Sequence, residues 1–142
     1  MVLVIKHLLK VHNLNDPYSG GISSYALTLM IVAFLQFQKM YCNPMHCMEN
    51  YRTYEQKHED LGYTIAQFFH FYYHTVSKFE DYRIHPHHPD DKFNQQPTIY
   101  GRTPFSSNNE DKLEIIDPLN PKNNVGKSSF NIDEIKECFK ES

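Results

Sequence analysis

The run "YALTLMIVAFLQF", from Tyr25 to Phe37, constrains the fold more than any other stretch. Among its 13 residues only Thr28 and Gln36 break the apolar pattern, so a helix built from it is apolar almost all round. Such a helix has no face to give to water, and other elements must pack about it. It is shorter than the roughly 20 apolar residues that span a membrane, which makes a central buried helix the prediction. Ser23 or Ser24 can cap its start, after the breakers of "NDPYSGG" at 15–21. The pattern carries it to about Tyr41.

Weaker periodicities flank it. Val2, Ile5, Leu8, Leu9 and Val11 fall on one broad face, with Lys6, Lys10 and Asn13 opposite, predicting an amphipathic helix that ends near Asn13. Leu61, Ile65, Phe68, Phe69 and Tyr72 repeat at helical spacing and predict a third helix from Asp60 to Val76. Residues 42–59 read as a polar excursion, and 82–111, with "HPHHPDD", "NQQP" and "SSNNED", as a long irregular surface segment. "KLEIIDP" suggests a short strand leading into the loop 117–130. A last helix runs from Ile132 to Phe139, capped by Ser129 or Asn131. The predicted fold class is mainly α. It is one helical domain over 1–142, with central helices in 1–41, a second helical region in 60–139, and long irregular insertions.

Composition narrows function. A net charge of −3 gives no general field for nucleic acid, so phosphate contacts must come from local lysines. Three cysteines without a Cys-x-x-Cys pair argue for a reducing, intracellular compartment. Lys6 and Lys10, at i and i+4, place two cations on one helix side, and a glycine-preceded helix start with Ser24 offers N–H and hydroxyl donors. Together they suit a triphosphate; the plainer alternative is a solvated helix face and a cap. Tyr25 is either a stacking platform for a nucleobase or core. His85, His87 and His88 with Asp90 and Asp91, or Cys42, His46 and Cys47, supply metal-ligand types without a recurrent zinc spacing. "HPHHP" is more simply an exposed turn stiffened by proline, and Cys138 is core packing.

Three stretches then fall into place together. "VLVIKHLLKVHNLNDPYSGGISSYALTLMIVAFLQF" resembles the central helices of the noncanonical poly(A) polymerases, a branch of the polymerase-beta-like nucleotidyltransferases. "LGYTIAQFFHFYY" and "DPLNPKNNVGKSSF" are similar to that family's poly(A)-polymerase-associated region, in the same order. The resemblance covers residues 2–41, 60–84 and 113–139, and leaves 42–59 and 85–110 unmatched.

By that resemblance Lys6 and Lys10 would hold the triphosphate of ATP, Ser24 would hydrogen-bond it and Tyr25 would stack on the base. The loop beginning at Asp117 would be the nucleotide recognition motif that folds over the base, with Asp117 on its base-facing edge. Asn123 stands where uridylyl-transferring members tend to carry His, and its smaller side chain leaves room for a purine. Asn124 departs from the Asp that often follows in adenylating members. An RNA 3′ end, an RNA-binding protein partner and a nuclear location are further implications, and no membrane partner is expected.

The family's chemistry needs two Mg²⁺ (or Mn²⁺) ions, about 3.5–4 Å apart, held by carboxylates. It supplies them from a catalytic palm with a Gly-Ser turn and an Asp-x-Asp pair that precedes the central helices. This chain contains no Asp-x-Asp or Asp-x-Glu, so it is expected to be inert alone. Its start in mid-helix is expected of a truncated gene model or an excised fragment. A non-catalytic helical adaptor for protein or RNA, and a uridylyl-transferring relative, are the alternatives.

Overall fold

The computed structural model describes residues 1–41, 60–75, 81–88, 98–101 and 112–141. Four α-helices are present among them: α1 (Val2–Val11), α2 (Ser24–Tyr41), α3 (Leu61–His70), which continues as a π-helical turn over Phe71–Thr75, and α4 (Ile132–Glu141). A 3₁₀ turn, Pro17–Ser19, links α1 to α2. The strands are β1 (Tyr82–Ile84), β2 (Ile99–Gly101), β3 (Glu114–Asp117) and β4 (Asn120–Asn124).

α2 is the central helix its composition requires. It buries Ala26, Leu27, Leu29, Met30, Ile31, Ala33 and Phe34. Phe34 meets Phe68 of α3 edge-on at 5.6 Å between ring centroids, and Phe68 meets Phe139 of α4 at 5.8 Å. Tyr72 is fully buried beside them, and its hydroxyl donates to the Met30 carbonyl at 2.7 Å. Burial pushes that phenol well above the usual tyrosine range. Each of these side chains contributes about 1.5–3 kcal/mol by leaving water. α4 adds Ile132, Ile135, Cys138 and Phe139 along one face, and burial, more than the nearby Glu141, raises the Cys138 thiol.

α1 packs through Ile5 and Leu9, but Val11, expected on the same face, is 65% exposed. Two residues of helix turn it about 200° away from Leu9. Asp60 starts α3 by accepting the N–H groups of Gly62 and Tyr63 at 2.8 and 3.3 Å.

The sheet corrects the mainly α expectation to a mixed α/β fold. Its order is β2-β1-β3-β4. β1 pairs antiparallel with β2, Ile84 opposite Ile99, and parallel with β3, Arg83 opposite Glu114. That last pair also closes an ion pair at 2.7 Å. β1 and β2 lie in the stretch expected to be irregular surface, yet Ile84, Thr98 and Ile99 are buried. The sheet is fastened to α2 by polar groups: the Thr98 hydroxyl donates to the Ala33 carbonyl at 3.0 Å. The Gln36 amide donates to the His87 carbonyl and accepts its N–H, at 3.0 and 2.8 Å.

"HPHHP" is therefore docked on α2 in its described part, with Pro86 buried, rather than exposed. Of the metal candidates, Cys42, His46, Cys47, Asp90 and Asp91 lie outside the described residues. Among the described residues no group of three or more His, Cys, Asp or Glu side chains could hold a metal ion, and no helix is long and apolar enough to cross a membrane.

Candidate functional site

The candidate site begins at the turn before α2. Asp16 caps the 3₁₀ turn by accepting the Tyr18 N–H at 3.0 Å. The chain then reverses through Gly20, whose φ of 83° is left-handed and natural to glycine alone. Gly21 passes so close to Leu14 that a Cβ there would lie 2.3 Å from its carbonyl oxygen. Ser23 caps α2, its hydroxyl oxygen accepting the Ala26 N–H at 3.0 Å. Ser24 is thereby the first helical residue and Tyr25 the second, both exposed at this end of the helix.

The facing element is the β3–β4 hairpin. Burial alternates along β3, so Asp117 shares the inward side with Ile115, and the register shift between Ile116 and Asp117 falls at the same place. "DPLN" closes the hairpin: proline at the second position suits a tight turn, and the Asp117 carboxylate accepts the Leu119 N–H at 2.9 Å. Asp117 is 7% exposed.

Three predicted residues meet there. The Tyr25 hydroxyl donates to Asp117 Oδ1 at 2.9 Å, across 92 residues of sequence. The Asn123 amide donates to Asp117 Oδ2 at a longer 3.4 Å. The Leu119 N–H, then Tyr25, Asn123 and the Asn120 N–H, hold the Asp117 carboxyl below the usual carboxylate range against the opposing effect of burial. Its hydrogen bond to Asp117, with burial and the carboxylate's charge, raises the Tyr25 phenol. At neutral pH the pair is a charged acceptor and a fixed donor. Tyr25 as a residue remains 43% exposed, with its hydroxyl anchored on Asp117.

The other predicted residues share no side-chain hydrogen bond with this group among the described residues. Lys6 and Lys10 neighbour the buried Ile5 and Leu9 on α1, Lys6 half-buried and Lys10 exposed. Among the described residues no hydrogen bond or ion pair joins either ammonium to Tyr25, Asp117 or Asn123. The Ser24 carbonyl accepts the Thr28 hydroxyl at 2.8 Å.

Sequence reasoning missed a third asparagine task. Asn124, weighed above as a neighbour of the base-selecting position, turns into the hairpin instead. Its Oδ1 accepts the N–H groups of Ile115 and Gly126, both at 2.9 Å, and its Nδ2 donates to the Leu113 carbonyl at 3.1 Å. An aspartate there could accept but not donate. The deviation from the adenylating pattern therefore falls on a hairpin staple.

No protein-family model matches the chain. Similar proteins do. The chain is 33% identical to the "Inactive non-canonical poly(A) RNA polymerase protein Trf4-2" of Drosophila melanogaster, over 93% of this chain and 30% of that protein. It is 31% identical to the "Poly(A) RNA polymerase gld-4" of Caenorhabditis elegans, over 98% of this chain and 15% of that one. "Poly(A) RNA polymerase protein 1" of Saccharomyces cerevisiae is 27% identical, over 98% and 20%. Over nearly its whole length the chain is homologous to poly(A) RNA polymerases. This polymerase-like segment spans less than a third of the length of those relatives. Their shared stretch runs through both halves of the site, from the turn before α2 to the hairpin that faces it.

Proposed function

We propose that this chain is the nucleotide-binding portion of a noncanonical poly(A) polymerase, which adds AMP from ATP to RNA 3′ ends. The observation that carries the reading is the 2.9 Å bond between the Tyr25 hydroxyl and Asp117. It fixes the half-exposed Tyr25 beside Asn123 on the same carboxylate, and a base that stacks on its ring gains about 1–3 kcal/mol. Lys6 and Lys10 hold the triphosphate and Ser24 hydrogen-bonds it from the start of α2.

Base choice follows from the Asn123 amide. With its N–H₂ turned to Asp117, the carbonyl end is left as an acceptor. Adenine offers that acceptor an exocyclic amino donor, whereas uracil's exocyclic groups are both carbonyl acceptors and its one donor on that edge is the ring N3–H. Asn123 therefore favours ATP over UTP, and Asn124, occupied in the hairpin, does not weigh against it.

The residues described here do not fit the two metal ions of nucleotidyl transfer. Asp117 is engaged by Tyr25 and backbone N–H groups, Glu114 is paired with Arg83, and no three ligand side chains gather among the described residues. No metal-dependent step is assigned to this chain. The RNA 3′ end, an RNA-binding protein partner and a nuclear location belong to the whole polymerase under this proposal.

Calorimetric titration of the purified chain with ATP tests the reading. Binding weakened about tenfold or more by Tyr25→Ala, and clearly by Lys10→Ala, is expected; ATP affinity unchanged by both substitutions overturns the site. Incubation with an RNA primer, ATP and Mg²⁺ should give no extension, and measured extension would contradict the missing carboxylates. The second reading, a non-catalytic adaptor, draws on Leu3, Val4 and Val11 of α1, which are 81%, 52% and 65% exposed. It predicts no ATP binding at all.

A further inference from the structure

Ser129, Phe130 and Asn131 join the hairpin to α4, and the sequence gives them no task beyond capping that helix. Their side chains meet residues more than a hundred positions away. Ser129 is 1% exposed, and its hydroxyl donates to the Gly21 carbonyl at 3.0 Å. The Asn131 N–H donates to the Gly20 carbonyl at 3.0 Å, and its side-chain amide donates to the Ser19 carbonyl at 2.7 Å. The Phe130 ring lies over Gly20, where a Cβ would come within 2.5 Å of it. Three successive carbonyls of the turn before α2 are thus held by one three-residue segment.

The consequence reaches Tyr25. That residue is the second of α2, four positions after Gly21, and Asp117 ends β3 on the hairpin whose return leads to Ser129. A lone hydrogen bond from a half-exposed phenol competes with water and with the freedom of both elements. Once the turn and the hairpin base are already in register, that entropy has been spent and the bond forms between preplaced partners.

We propose that Ser129 and Asn131 are positioning residues of the nucleotide site. They clamp the glycine turn to the base of the hairpin, so that the Tyr25 hydroxyl and the Asp117 carboxylate meet and the ring presents one orientation to the base. The recognition loop is then a preset wall of the site rather than a flap free to swing. This rests on the reading of Tyr25 as the base platform, and the test separates the two.

The direct readout is the ¹³Cζ chemical shift of Tyr25 in the 142-residue chain, which reports its hydroxyl hydrogen bond without any nucleotide. Asp117→Asn sets the value for a weakened bond. Ser129→Ala with Asn131→Ala should move Tyr25 to that value while the ring resonances of Phe68 and Tyr72 stay in place. ATP affinity should fall about tenfold, with affinity for inorganic tripolyphosphate unchanged. If the buried Ser129 change prevents folding, Asn131→Asp alone decides, since it keeps the side-chain shape and removes the donor to Ser19. A folded variant with the wild-type Tyr25 shift overturns the proposal. A Tyr25 shift that moves as expected in a chain that binds no ATP upholds the clamp and removes the nucleotide reading.

Discussion

The two ends of α2 are held by different physics. Toward its middle and end, Phe34 and Phe37 pack against the rings of Phe68 and Phe71 by shape and exclusion of water, with hydrogen bonds at Met30, Ala33 and Gln36 beside them. At its start, Tyr25 and the turn before it are held by directional bonds to Asp117, Ser129 and Asn131. Apolar packing is strong but tolerant of small displacements, whereas a hydrogen bond fixes distance and direction to a few tenths of an ångström. Ring packing distinguishes one end, and long-range hydrogen bonds around Tyr25 and the glycine turn the other.

Substitutions can break that contrast, the largest effect first. Phe68→Ala removes a ring that touches Phe34, Phe69, Tyr72 and Phe139. Denaturant unfolding should show a loss of about 3–5 kcal/mol. Asn124→Ala strips the hairpin of its staple and leaves two N–H groups without their acceptor, for a loss of about 1–3 kcal/mol by the same measurement. Gly20→Ala forces a left-handed φ and drives a methyl into the Phe130 ring. A cost of about 1–2 kcal/mol from the backbone alone is expected, together with broadened Tyr25 resonances that Phe68→Ala should not reproduce if the protein remains folded.

The smallest effect sharpens the comparison through pH. The folded Asp117 carboxyl lies below its usual value, so its contribution is complete above the unfolded value of about 3.9 and is lost as pH falls through the folded one. Thermal unfolding of Asp117→Asn should therefore be less stable than the parent at pH 7 and lose stability less steeply below about pH 4. The packed end has no comparable acid-sensitive partner in the Phe34–Phe68–Phe139 contacts.

The same contrast explains what could be read from the chain. α2, α3 and α4 were legible because burial imposes a helical repeat on the side chains, as in Ile132, Ile135 and Phe139. Of the strands only β3 was, in "KLEIIDP". β1 and β2 have three residues each, too short for a period, and "NPKNN" of β4 has no apolar alternation at all. It becomes a strand through pairing with β3 and the side chain of Asn124, and β1 pairs in parallel with a strand about thirty residues on. At the site, Tyr25, Asp117 and Asn123 were named through a family resemblance; their meeting on one carboxylate depends on a strand register that no local pattern expresses. Ser129 and Asn131 looked like helix caps because their residue types suit that task as well.

The bonds that close the site span 92, 108 and 112 residues. During synthesis the glycine turn leaves the ribosome roughly 5–20 s before the segment that clasps it has been made, at about 5–20 residues per second. In that interval the Ser19, Gly20 and Gly21 carbonyls and the Tyr25 hydroxyl are without the partners that hold them in the folded chain. Closure of the glycine turn onto the segment before α4 therefore follows the synthesis of α2 and α3.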